Sequence, residues 1–263
     1  VSDGLDLINK LNEVGFDNYN IDIMSGMIME NRETWENSIQ QLLKIKPTNI
    51  TIYKMQLYEN SKLTKHCREN NINTMTEAEE LEYTKHFFNS LLKGGYQLMS
   101  STYSFSRGSE YASKYRQYRN EGEDLIALGI SSNGVLNGRV YQKTYDMEDY
   151  MNNNFEPTSA YKMSEEEIIL RGIILAMKCG EVDRVRFKNK FKIDPYEYFK
   201  QFKEMKKLGV VDVTPTSIKV SGDYIYYIDD IIRRFFMPER IKEMERFMIK
   251  YKNFNIGGVN KWV

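Results

Sequence analysis

Two cysteines, two histidines, no net charge and no long apolar run mark this 263-residue chain. Cys67 and Cys179 lie far apart in sequence and make neither a disulfide framework nor a metal-ligand spacing. Two free thiols suit a reducing, cytoplasmic setting. His66 and His86 have no second ligand near them in sequence, so no metal is assigned to this chain. Thirty-seven basic residues face thirty-seven acidic ones, which removes any global electrostatic case for nucleic acid or an anionic membrane surface. No stretch approaches the roughly 20 apolar residues a membrane span needs, and no signal peptide leads the chain. The first residue is Val, which we read as the sign of a fragment of something longer. With 41% hydrophobic residues, the chain can build one large or two modest domains.

Strand and helix patterns alternate along the first hundred residues. Leu5, Ile8, Leu11 and Val14 recur at helical spacing and Gly15 ends that run. "YNIDIM" (19–24) reads as a buried strand broken by one charge, Asp22. A helix follows over 31–47, with Asn31 as its cap and Pro47 just beyond its end. "NITIYKMQLY" (49–58) is a strand rich in β-branched and aromatic residues. Thr76 caps a long helix that Gly94-Gly95 stops, and 96–105 reads as a third strand. Short connections between alternating elements predict parallel strands under a helical layer. The pattern then changes. Residues 106–124 are polar and loop-like, glycines 129, 134 and 138 punctuate short apolar runs, and 147–163 reads as a linker rich in Asn. We place a boundary near residue 153. Beyond it come a helix capped by Ser164, a short segment at 185–191, a helix with Asp194 as cap and Pro195 first, two short strands in 210–222 and a closing helix. That order suits a winged helix.

The motifs, taken together, resemble the oxygen-independent coproporphyrinogen III oxidase family of radical S-adenosylmethionine (SAM) enzymes. "GFDNYNIDIMSGM" is similar to the family's N-I-D-L-I-Y-G-L-P strand, and "TNITIYKMQLYENSKL" to its S-x-Y-x-L strand. "LLKGGYQLMSSTYSF", "DLIALGISSNGVLNGRVYQ" and "MKKLGVVDVTPTSIKVSG" follow in the family's order. The resemblance implies an α/β fold: the later strands of a partial (β/α)6 barrel plus extension over 1–152, then a winged-helix-like α+β domain over 153–263. It implies SAM and a 4Fe–4S cluster as cofactors. The family's CxxxCxxC cluster motif is absent from this chain, so the cluster belongs to a missing N-terminal part of the parent protein and this chain alone is expected to be inactive. The parent's chemistry would be reductive cleavage of SAM to a 5′-deoxyadenosyl radical, in an oxidoreductase or a methyltransferase using a second SAM. Relatives that open haem widen the range further. A tetrapyrrole or haem substrate and a flavodoxin or ferredoxin electron donor come with it.

Carried over residue by residue, the resemblance makes Asp22, Gly26, Tyr53, Gln56, Gly129, Ser131 and Asn133 cofactor contacts. Ser101, Arg107, Arg139 and Tyr141 become candidates for substrate, Arg139 because a guanidinium suits a propionate, and Tyr103 a candidate for proton relay. Each has a plainer reading: Asp22 as a cap or ion-pair partner, Tyr53 as a core aromatic, Arg139 as a surface ion pair. "GMIMEN" departs from the family's G-L-P-G-Q-T, and "SSTYSFSR" departs from both the oxidase and the haem-chaperone patterns. A non-catalytic haem chaperone of the same family and a DNA-binding winged-helix regulator are the alternatives. Over 181–207 there are nine Lys or Arg against five Asp or Glu. That excess is small, and its charges alternate with Val and Phe as on a half-buried element, which argues against a phosphate footprint.

Overall fold

In the computed structural model the described residues are 2–55, 57, 61–99, 103–153 and 155–238. The backbone forms two compact units, one of the described residues up to Ala112 together with Met237 and Pro238, the other Ser113–Phe236.

The first unit runs α1 (Ser2–Val14), β1 (Asn20–Ser25), α2 (Arg32–Ile45), β2 (Asn49–Lys54), α3 (Lys62–Glu69), α4 (Glu77–Lys93), β3 (Gln97–Leu98) and β4 (Ser104–Ser106). Asn31 and Thr34 form a reciprocal capping box at the start of α2, and Thr76 and Glu79 form another at α4. Trp35, Ile39 and Leu42 then recur along one face of α2 and are buried. The sheet order is β1-β2-β4-β3. β1 and β2 are parallel, as the alternating pattern predicts.

The strand expected over 96–105 is instead two short pieces. β4 lies between β2 and β3 and is antiparallel to both. The physical reason is side-chain parity. In one continuous strand, Tyr96 and Leu98 would face one side of the sheet and Tyr103 and Phe105 the other. Folding back pairs Leu98 directly with Phe105. Phe105 then sits edge-on against Phe87 and Phe88 of α4, at 5.9 and 4.8 Å between ring centroids.

β1 alternates rather than being buried throughout. Ile21 and Ile23 face the helices with Ile50 and Ile52. Asn20, Asp22 and Met24 lie exposed on the opposite face, across from Asn49, Thr51 and Tyr53. Asp22 is therefore not a buried charge, and no desolvation cost has to be explained.

The second unit runs α5 (Lys114–Asn120), β5 (Asn133–Leu136), β6 (Arg139–Gln142), α6 (Met147–Asn152), β7 (Ser159–Lys162), α7 (Glu165–Met177), β8 (Glu181–Asp183), α8 (Arg184–Phe191), α9 (Pro195–Tyr198), α10 (Lys200–Lys207), β9 (Val211–Val213), β10 (Ser217–Val220) and α11 (Ile228–Arg233). Two segments read as loop or linker contain structure. Ser113 caps α5, and Asp146 caps α6. β5, β6 and β7 form an antiparallel meander. β7 pairs with β6 from beyond residue 153, so the expected boundary falls inside this unit. β8, β10 and β9 form a second antiparallel sheet. Phe187, Phe199, Phe202 and Phe235 are buried together.

Arg184 ties this core's edge. Its guanidinium donates to Asp194 Oδ2 at 2.8 Å and to the Thr214 carbonyl, and lies over the Tyr196 ring. Burial alone would raise the Asp194 carboxyl. The hydrogen bonds from Arg184 and from the Tyr196 N–H outweigh it and hold the carboxyl below its ordinary value. The folded state thus binds this proton less readily than the unfolded chain. The stabilisation is present above the unfolded value of about 4 and is lost as pH falls through the lowered one. We expect Arg184→Gln to cost about 1–3 kcal/mol at pH 7. Urea midpoints of variant and wild type should begin to converge near about pH 4 and meet once pH falls beneath the lowered Asp194 value; a pH-independent gap would contradict the pairing.

Candidate functional site

The N-terminal half of the parallel β1–β2 pair carries a linked polar group on its exposed face. Asp22 Oδ1 accepts from Asn20 Nδ2 at 2.6 Å, and the Thr51 hydroxyl donates to Asn20 Oδ1 at 2.9 Å. One step further along the same face, Met24 and Tyr53 are opposite each other in register and 51% and 48% exposed. A carboxylate beside an apolar ledge suits a ligand that carries hydrogen-bond donors on a flat or apolar body.

Gly26 follows at a φ of 81°, a conformation glycine adopts without penalty. Its N–H does not stand open, because Glu30 Oε2 accepts from it at 2.7 Å. Burial raises the Glu30 carboxyl above its ordinary value, against the lowering effect of the Gly26 and Met27 N–H groups. Gln56 and Ser101 lie outside the described residues. Tyr103 has its ring on the helical side, edge-on to Phe88 at 6.3 Å between centroids and beneath the Lys54 ammonium. Arg107 follows Ser106, which pairs with the first residue of β2, at the end of the sheet remote from Tyr53. Its Nη1 donates to the Lys46 carbonyl at 3.0 Å. Tyr103 and Arg107 are thus not brought onto the face of Asp22.

In the second unit, Gly129 has a φ of 92° and its N–H donates to Tyr150 Oη at 3.0 Å. Ser131, at a φ of 54°, donates its N–H to the Thr144 carbonyl. Asn133 and Arg139 are exposed at the starts of β5 and β6. Tyr141 is committed to holding the loop: its hydroxyl accepts the Ala127 N–H at 2.8 Å and its ring covers Gly134. A Cβ at Gly134 would stand 2.2 Å from Tyr141 Cζ. Gly134→Ala should therefore cost about 1–3 kcal/mol through displacement of the pinned ring, and Tyr141→Phe about 1 kcal/mol through the orphaned N–H. Thermal unfolding checks both; a neutral Gly134→Ala would show that the ring is free to move.

Sequence reasoning missed Asn20, Thr51 and Glu30. A count of two along "NIDIM" would have put Asn20 and Asp22 on one face, but Thr51 enters only through the β1–β2 register. The basic run at 184–192 is largely neutralised within its own unit. Arg184 pairs with Asp194, Arg186 with Glu121, and Lys190 with Glu123. Among the described residues no three His, Cys, Asp or Glu side chains gather as a metal site would require. Cys67 is buried on α3, and burial pushes the Cys179 thiol up to about 11. Two such thiols cannot supply the three thiolates that hold an iron–sulfur cluster open at one iron, so the residues of this chain do not fit that group.

The parallel pair, with its helical layer on one face and its carboxylate on the other, defines an α/β protein, followed by a small α+β arrangement. No protein-family model matches the chain. It is similar to the solved structure of "Coproporphyrinogen III oxidase (HemN) from Escherichia coli is a Radical SAM enzyme", with a TM-score of 0.69 and 17% identity, over 88% of this chain and 57% of that one. It is 23% identical to heme chaperone HemW of Lactococcus lactis over 71% of its length and 50% of the relative. It is 19% identical to oxygen-independent coproporphyrinogen III oxidase of Salmonella typhimurium, over 82% of the chain and 51% of the relative. The chain spans about half the length of the curated relatives it matches. The resemblance to coproporphyrinogen III oxidases therefore holds in sequence and in fold. Among the described residues no helix is long and apolar enough to cross a membrane.

Proposed function

We propose that this chain is the cofactor-facing part of a cytoplasmic radical SAM enzyme related to coproporphyrinogen oxidases. On this reading, the first unit holds later strands of a partial (β/α)6 barrel, and the second unit holds the barrel's extension up to about 152 and a winged-helix-like module from 153, tied together by the β6–β7 pairing. Asp22 is the principal contact to SAM, with Tyr53 on the same face of the sheet and Gln56 as a further candidate contact. Gly129, Ser131 and Asn133, on the second unit, remain candidate cofactor contacts. Gly26 serves as a turn glycine rather than a donor to the cofactor, since its N–H is held by Glu30. Arg139 remains the candidate for a substrate carboxylate. The iron–sulfur cluster and its electron donor, a flavodoxin or ferredoxin, act through another segment of the parent protein. When bound, SAM would supply the radical precursor for oxidation or methyl transfer on a tetrapyrrole.

The supporting observation is the Asp22 carboxylate, held on one oxygen by Asn20, exposed on the polar face of the parallel pair and followed by Met24 and Tyr53. Barrel ligands bind at the C-terminal ends of parallel strands, the direction in which Met24 and Tyr53 lie from Asp22. Titration calorimetry of SAM into this chain should show saturable binding. Absence of binding at millimolar SAM would sink the assignment. The similarity to a heme chaperone favours a second reading, haem binding without SAM turnover. A haem titration followed in the Soret band separates the two.

A further inference from the structure

We propose that Asn20 and Thr51 are positioning residues that aim the Asp22 carboxylate at its ligand; this rests on the reading of Asp22 as a SAM contact. The order of donors and acceptors is dictated by chemistry. An ionised carboxylate only accepts, so Asn20 must present its NH2 group, which lies 2.6 Å from Asp22 Oδ1. The amide oxygen is thereby turned toward Thr51, whose hydroxyl must donate, at 2.9 Å. Each link leaves the next a single orientation.

The anchor of this chain is buried. Thr51 is 4% exposed, so little water competes for its hydroxyl, while Asn20 and Asp22 are exposed. A hydrogen bond between two exposed side chains would ordinarily hold neither of them still. A buried donor at one end turns it into a directional support. Strand geometry brings the three together: Asn20 and Asp22 are two residues apart on one face, and Thr51 is opposite Asp22 in the parallel register. Asp22 Oδ2 accepts no hydrogen bond among the described residues, and it is the oxygen left for a ligand's hydroxyl or ammonium group. With Thr51 unable to donate, the Asn20 amide is free to rotate and the carboxylate loses its fixed aim. Such preorganisation affects binding without adding any contact to the ligand.

The test uses the 263-residue chain with Thr51→Val, which removes the hydroxyl but keeps the shape, and Thr51→Ser, which keeps the hydroxyl. Two readouts are taken: the NMR signals of the Asn20 side-chain NH2 group, and SAM affinity by calorimetry. The wild type and Thr51→Ser should show Asn20 NH2 protons shifted downfield and protected from exchange. Thr51→Val should lose that signature and bind SAM about tenfold more weakly, the size of one charge-assisted hydrogen bond misplaced. Thr51→Ser should restore affinity to within about twofold. Unchanged Asn20 signals in Thr51→Val, or unchanged affinity with the signature lost, would overturn the proposal. If the signature depends on Thr51 but the wild type binds no SAM, the hydrogen-bond chain stands and the cofactor reading of Asp22 is what fails.

Discussion

Replacing Phe105 by Ala should destabilise the first unit by about 3–5 kcal/mol. Its ring is 1% exposed and lies against Phe87 and Phe88, both also buried. The site cannot collapse to fill the void, because β4 is held on both sides, by Ile50 of β2 and Leu98 of β3. A loss of that size is a large share of the 5–15 kcal/mol typical of a domain. Urea denaturation should show a lower midpoint with an unchanged slope. Phe105→Leu keeps most of the apolar volume and should cost clearly less than Phe105→Ala. An unchanged midpoint for Phe105→Ala would mean that β4 does not sit between β2 and β3.

Replacing Asp22 by Ala should do the reverse, leaving stability within about 0.5 kcal/mol while weakening SAM binding about 10- to 100-fold. The side chain is exposed and its protein partner is Asn20 alone among the described residues, so the fold loses little. The ligand loses a charged acceptor, which in such sites contributes about 1.5–3 kcal/mol. Asp22→Asn keeps the shape but places an amide against Asn20, and should weaken SAM binding less than the alanine variant. Calorimetry with the thermal midpoint measured on the same samples separates the two effects. If Asp22→Ala lowers the midpoint and leaves binding intact, Asp22 is a structural residue and the site lies elsewhere.

Much of the local structure was legible. Asn31 with Thr34, Thr76 with Glu79 and Ser164 with Glu167 all form the capping boxes whose first members the sequence marks. Asp194-Pro195 starts a helix as read, but the helix expected to continue to Gly209 stops at Tyr198, Phe199 turns extended, and α10 resumes at Lys200. Other features were hidden because they depend on partners distant in sequence. The reversal between Leu98 and Ser104 follows from the need to place Leu98 and Phe105 on one face. Asp22 reads as buried when its strand is taken as one apolar run, and as exposed once alternate residues face opposite ways.

The sequence by itself determined the helices and strands around β1 and β2, the absence of a cluster-holding cysteine motif from this chain, and the order of motifs that resembles coproporphyrinogen oxidases. These depend on neighbours a few residues apart or on residue identity alone. Only the tertiary structure decided that Thr51 supports Asn20 and Asp22, that β4 inserts beside β2, and that β7 ties the segment beyond residue 153 to β6. Each of those is a matter of register between separate strands. A shift of one residue would turn every side chain to the other face, and no local pattern specifies it.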